Sequence, residues 1–420
     1  MNSGHPTAAH MLRVYVTLTL LATFASSFIW GINTLFLLDA GLSITEAFAA
    51  NAFFTLGMML FEVPTGVVAD TVGRRASYLV GAATLLGSTL LYLWMWQISG
   101  PFWAWALASV LLGLGFTFFS GATEAWLVDG LTSTGYTGTL DAAFARGQIA
   151  SGIAMLTGTL AGGAIAQATS LAVPYVLRAA VLGITFVTAM LLMHDVGFTP
   201  RNRTSVRSEV MLTLRASLDH GIRNPPVRWL MLAAPFAGGV GIYGFYAMQP
   251  YILEIYGSSD SYTIAGLTAA IVAGTQIIGG LVVPWLRRVF RLRTSFLLVG
   301  SLTSAVSLLL IGVLSSFALI LALLSVWAFI FAATIPIRQA FINGLIPSEQ
   351  RATVLSSDNL LNSTGGVVVQ PVLGRVADVW GYAASYLVSA GISLLAIPFV
   401  FLARRERASS DPIVEQRIQS

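Results

Sequence analysis

The sequence contains no cysteine and no lysine, and little charge of either sign. The missing cysteine excludes disulfides, thiolate zinc sites and cysteine nucleophiles. Charged residues make up 10% of the chain, against about 25% in a soluble domain. A soluble globule of 420 residues could not cover its surface with so few charges. The net charge of +4 and a pI near 9.5 suggest nucleic acid at first sight. The position of the charges removes that idea, because all 22 basic residues are arginine, set in short patches between apolar runs. His5, His10, His194 and His220 lie outside those runs and share no helix face with a carboxylate, so no metal site is expected. There is no hydrolase elbow, P-loop or glycine-rich dinucleotide turn, so neither an enzyme nor a bound cofactor is expected.

What the chain does have is apolar length. Hydrophobic residues reach 56% and the mean hydropathy is +0.80. At about 20 apolar residues per crossing, twelve spans are predicted, near 12–38, 46–69, 77–97, 101–128, 143–168, 174–193, 227–254, 262–286, 294–314, 317–339, 352–374 and 382–403. The first run is too long for a cleaved signal peptide and reads as span one. With the N-terminus in the cytoplasm, twenty arginines fall inside and only Arg178 and Arg375 outside. That bias places both termini in the cytoplasm.

The longest connection, 194–226, separates an N-terminal bundle of six spans (1–193) from a C-terminal bundle of six (227–403), with a cytoplasmic tail at 404–420. The fold class expected is therefore an all-α membrane protein with twelve transmembrane helices in two six-helix bundles. Val206, Val210, Leu214 and Leu218 have the spacing of an amphipathic helix on the inner membrane surface. A plain linker is equally compatible.

The densest motif is GVVADTVGRRAS, Gly66 to Ser77, between spans two and three. Gly66 and Gly73 allow close helix approach and a tight turn. Asp70 is an acceptor at a helix end, with Arg74 and Arg75 on the inner face. Gly374-RVAD-VW-Gly381 in span eleven repeats the spacing at the opposite side, as nested inverted repeats require.

This segment resembles the signature loop of the major facilitator superfamily. FEVPTGVVADTVGRR, SGATEAWLVD and IPSEQRATVLS are similar to strings in one bacterial branch of it, and the resemblance covers the whole chain. It implies the major facilitator fold and transport by alternating access. It further implies a conformational latch in which Asp70 and Arg74 engage Asp129 and the start of span eleven. The matching loop of the second half has Pro284 where the aspartate should stand, so the latch is expected to be asymmetric. GIAMLTGTLAGG in span five is similar to the signature of drug–proton antiporters, with Thr159 in place of its proline. Plain small-residue packing explains it as well. The arginine of the antiporters' span-four motif is replaced by Ser109.

Glu62, Glu124 and Asp358 are acids inside predicted spans, where a charge has to be neutral, paired or wet. They are the candidate proton carriers, with a static pair to Arg146 as the alternative for Glu124. Trp30, Asn33, Tyr243, Tyr246, Gln249, Gln276 and Asn362 are candidate cavity residues, or ordinary helix packing. Arg178 is expected to snorkel to the outer interface.

The expected function is proton-driven efflux of an amphipathic drug-like molecule or natural product across a bacterial plasma membrane. Its partners would be the small-molecule substrate, protons and lipids, without nucleic acid, and the protein would act as a monomer. The reasons are buried acids without buried cations and an aromatic, weakly polar cavity. Uptake of a nutrient or metabolite is the alternative within the class. A receptor or membrane enzyme is the remote one.

Overall fold

The computed structural model describes residues 7–119, 121–200, 211, 215, 217–347 and 351–413. Among them every regular element is helical. The backbone pairs as sheet only at an isolated bridge between Leu292 and Pro412. The helices are α1 (Ala8–Trp30), α2 (Asn33–Asp39), α3 (Ile44–Thr71), α4 (Arg74–Ile98), α5 (Phe102–Phe119), α6 (Ala122–Ser133), α7 (Leu140–Ala168) and α8 (Ala172–Leu192). After a single helical turn, Ser217–Ile222, follow α9 (Pro225–Tyr256), α10 (Tyr262–Val289), α11 (Arg293–Val313), α12 (Phe317–Asn343), α13 (Arg351–Leu394) and α14 (Ala396–Arg405).

Eleven stretches are long and apolar enough to cross a membrane. The last of them, Val354–Arg405, has 52 residues, about 78 Å as a straight helix against a hydrocarbon core of about 30 Å. Gly381, at φ 85° and ψ 164°, breaks it into two crossings, giving twelve. Large apolar side chains cover the outer surface: Trp103, Leu281, Trp285 and Trp380 are 69–72% exposed. Water would penalise such a surface, whereas lipid requires it. The chain is a multi-pass integral membrane protein.

Two predicted spans are interrupted. Span one stops at Gly31 and restarts at Asn33, as α1 and α2. Span four is divided into α5 and α6, and Gly121 opens α6 at φ +69°, a backbone conformation that only glycine adopts without steric cost.

The chain forms two compact units. Unit 1 comprises Met1–Leu42, Phe53–Glu209 and Asp260–Ala270, and unit 2 comprises Ser43–Ala52, Val210–Ser259 and Ile271–Ser420. Within unit 1, α1 packs along α7 and α8, and α4 along α5 and α8. Within unit 2, α9 packs along α13, and α11 along α12 and α13. The close α1–α7 approach explains the small residues of span five: a Cβ on Gly162 would run into the Phe28 carbonyl. Unit 2 buries Tyr243, Tyr251 and Tyr386. Their hydroxyls donate to Ser385 Oγ at 2.6 Å, the Ile311 carbonyl at 2.8 Å and the Gly244 carbonyl at 3.3 Å, as buried tyrosines must. Val206, Val210 and Leu214 of the expected amphipathic helix lie outside the described residues.

The segment after α14, expected only as a polar tail, is a strap within unit 2. Asp411 is 4% exposed and caps α11. Its carboxylate accepts from the Thr294 N–H and hydroxyl, both at 2.8 Å, where a helix start leaves N–H groups without partners. Ser410 Oγ donates to the Phe341 carbonyl of α12 at 2.8 Å. The Arg293 guanidinium donates to the Ser410 carbonyl, and to that of Pro412 at 2.8 Å. Trp229 Nε1 of α9 donates to Glu406 at 3.0 Å. The strap thus ties together the ends of three helices. Asp411→Ala is expected to destabilise the protein by about 1–2 kcal/mol and lower its thermal midpoint in detergent. An unchanged midpoint would show that the strap is held without its cap.

Candidate functional site

The junction between α3 and α4 gathers five charged side chains in unit 1. Gly73 makes the turn at φ +133°, and a Cβ there would meet Asp195 Oδ2 at 2.5 Å, so both backbone and space demand glycine. Arg74, the first residue of α4, pairs with Asp70 one turn back in α3. Its Nε lies 3.6 Å from Asp129 Oδ2 on α6, and its guanidinium lies 5.7 Å from the Phe198 ring. Arg75 donates from its guanidinium to the Met190 carbonyl at 2.6 Å, and from its backbone N–H to Asp195 Oδ1 at 2.9 Å. The structure therefore brings together Asp70, Gly73, Arg74, Arg75 and Asp129. Gly66 stands apart, since a Cβ on it would meet nothing within 4 Å. Residues 348–350 of the IPSEQRATVLS string lie outside the described residues.

Asp195, just beyond α8, is the member that sequence reasoning missed. It answers the orphan N–H groups at the start of α4 from 120 residues away, a relation no local pattern reveals. Desolvation raises its pKa above the usual carboxylate value, opposed by the Arg75 N–H and by the charges of Arg75 and Arg74, and reinforced by Asp129. Its exposed edge keeps this effect small in energy.

Unit 1 also holds a cavity of about 420 Å³. Aromatic residues line much of it: Tyr15, Trp30, Tyr78, Phe116 and Phe119. Both helix breaks reach it, Trp30 being the last residue of α1 and Gly121 the cap of α6. Glu124 lines the cavity from the first turn of α6, where the helix dipole favours negative charge. Among the described residues it has no ion-pair partner, Arg146 included.

Unit 2 contains a second cavity, of about 220 Å³, inside its own bundle. Asp358 of α13 is 4% exposed there and forms a bidentate pair with Arg338 of α12, one contact being NH2 to Oδ1 at 2.5 Å. Arg338 also donates to the Leu230 carbonyl at 2.9 Å. This corrects the expectation of buried acids without buried cations, because Arg338 belongs to a spanning helix rather than to an inner loop. Arg178 corrects it again. Only 1% exposed, it donates to Thr89 Oγ1 at 3.1 Å and lies 5.8 Å from the Phe116 ring, instead of snorkelling to the interface.

The remaining candidates are scattered. Trp30 lines the unit 1 cavity and Asn362 the unit 2 cavity. Asn33 is buried and accepts from the Tyr175 hydroxyl at 2.9 Å. Tyr243 is buried against Phe48, their rings 4.6 Å apart, and Gln249 is 1% exposed. Tyr246, Gln276 and Glu62 are half-buried and line neither of these two cavities.

The raised pKa of Asp195 has a definite sign in stability. An acid that holds its proton more tightly when folded contributes less stability as pH rises from its unfolded pKa through its folded one. Asp195→Asn keeps an acceptor for the Arg75 N–H but does not titrate. The thermal midpoint of the variant, relative to the parent, should therefore rise between about pH 4 and pH 7. Midpoints that differ by a constant amount across that range would mean the carboxyl is not desolvated.

The fold is shared with solved transporters at low sequence identity. The nucleoside transporter NupG superposes with a TM-score of 0.76 at 13% identity, covering 93% of this chain and 98% of its own. A mutant of the peptide transporter POT in complex with sulfate gives 0.77 at 14% identity, covering 98% and 97%. A bacterial homologue of the human lysosomal transporter Spinster, inward-facing and unoccupied, gives 0.72 at 15%, covering 97% and 99%. Among curated protein sequences none matches the chain. The sequence pattern of the Major Facilitator Superfamily matches residues 15–298 and 261–419, and with this fold the chain belongs to that superfamily of membrane transporters.

Proposed function

We propose that this transporter exchanges protons for an amphipathic organic molecule, drug-like or a natural product, and exports it by alternating access. The observation that carries the reading is Glu124, an acid at the wall of an aromatic cavity in unit 1 with no ion-pair partner among the described residues. A carboxylate can hold either a proton or a donor group of a ligand, so the two compete for it. Competition at one site makes an exchanger, and an inward proton gradient then drives the ligand outward. Rings on the wall suit a ligand that is mostly apolar. No cofactor takes part beyond the proton gradient.

Glu124 is assigned the proton. Asp358 is paired with Arg338 and Glu62 lines neither cavity, so they are secondary candidates. The Asp70–Arg74–Asp129 cluster is assigned the latch, with Asp195 and Arg75 fixing the start of α4. An ion network at helix ends can hold one of two states and release it when a charge is lost. We place the protein in a bacterial plasma membrane as a monomer, with both termini cytoplasmic, as the distribution of its arginines supports. Uptake of a polar metabolite is the second reading, favoured by the polar lining of the unit 2 cavity.

Glu124→Gln in proteoliposomes should reduce proton-driven flux to the background of empty vesicles, with the thermal midpoint preserved. Normal flux under a pH gradient would remove the assignment. Everted and right-side-out vesicles separate export from uptake by the sign of accumulation. Asp70→Asn removes one partly exposed ion pair, about 1 kcal/mol or less. It should change the labelling ratio of cysteine probes at the two membrane faces by up to roughly fivefold. Identical labelling of parent and variant would refute the latch.

A further inference from the structure

The unit 2 cavity carries polar side chains that the protein itself leaves unused. Ser301, Ser304, Gln339, Asn359, Asn362 and Ser393 line it, and none has a hydrogen-bond partner among the described residues. Ser393 is only 7% exposed. Arg338 adds to them. Of the five N–H donors of a guanidinium, two go to Asp358 and one to Leu230, which leaves two. Gln339 and Asn359 are exposed, Ser301, Ser304 and Asn362 half-buried and Ser393 buried, so these groups can exchange water for a ligand's donors and acceptors. A cavity walled by so many uncommitted ones has the chemistry of a ligand site.

We infer that this cavity is a second ligand site, selective for a net-neutral molecule with a planar amide or lactam edge on a single ring system. Three features select that class. The Arg338–Asp358 pair already sums to zero charge, so a charged ligand would bring an uncompensated charge into the bundle. The open groups include donors from Arg338 and both donors and acceptors from the three amides. A ligand must therefore supply both, and an amide edge does so in one plane. Trp327 and Phe331, their rings stacked 6.0 Å apart, offer a flat wall. The volume, about 220 Å³, equals roughly seven waters at about 30 Å³ each, which fits one substituted ring.

Benzamide, benzoate and benzamidine share a shape and differ in charge, so they test the class directly. Ser304→Cys introduces one thiol into a chain that has none, and its maleimide labelling is followed on the full-length protein in detergent. Millimolar benzamide should slow labelling several-fold, while benzoate and benzamidine do not, and a control thiol at Thr137, exposed in the unit 1 loop between α6 and α7, should be unaffected by all three. Gln339→Ala or Asn362→Ala, each in the Ser304→Cys background, should weaken the protection; Gln339→Ala is the milder change, because Asn362 packs against Gly238. Equal protection by either charged analogue, no protection by benzamide, or full protection in both amide variants would overturn the inference. The site is independent of the proton exchange assigned to Glu124, so Glu124→Gln should leave the benzamide effect intact.

Discussion

An ionised side chain in this protein has few other charges available to answer it. Only 10% of residues are charged, and hydrocarbon offers no water to a stranded ion. Several of the buried or half-buried charges therefore join particular helices. Arg338 and Asp358 join α12 to α13, and the Leu230 carbonyl brings in α9. Arg178 joins α8 to α4 through Thr89. Arg74 joins α4 to α3 and α6, and Asp195 ties the region after α8 to the same point. Glu124 differs from these: it is exposed on a cavity wall and has no ion-pair partner among the described residues, and the functional reading rests on it.

The backbone obeys the same constraint. A broken helix exposes N–H and C=O groups, and within a membrane such groups are tolerated only where protein covers them or a cavity wets them. The interruptions of spans one and four both border the unit 1 cavity. Glu124 sits where it does because α6 begins at that break. A continuous span four would place it in a helix interior, away from any free N-terminus. The break thus supplies both an opening and a local field that suits a carboxylate.

The number and placement of spans were legible in the sequence, because the length of an apolar run is a one-dimensional property. Two features were not. Breaks such as the one at Gly121 depend on a backbone conformation that hydropathy does not encode, in a chain with 40 glycines. Burial of a cation depends on which face of a helix it occupies, so Arg178, placed by depth near an interface, lies instead between Thr89 and Phe116. The Asp70 and Arg74 pair was legible from its motif and Asp129 only through the family resemblance, whereas Asp195 had no local signal. Of the proposed cavity residues, aromatic character alone did not separate Trp30, on a cavity wall, from Tyr243, in solid packing.

Arg338 did leave a trace. It stands five residues before Asn343-Gly344-Leu345, and Glu124 stands five before Asp129-Gly130-Leu131. Each lines the cavity of its own unit. A similar echo relates Gly73 to Gly381, both at positive φ where one spanning helix hands over to the next. The repeats thus keep the backbone and the address of the side chain while the chemistry at that address reverses sign. In unit 1 the acid has no ion-pair partner among the described residues. In unit 2 the arginine is met by Asp358, and the pair stands beside further donors and acceptors on the cavity wall. One backbone pattern, repeated in the two units, thus presents an acid to one cavity and an ion pair to the other.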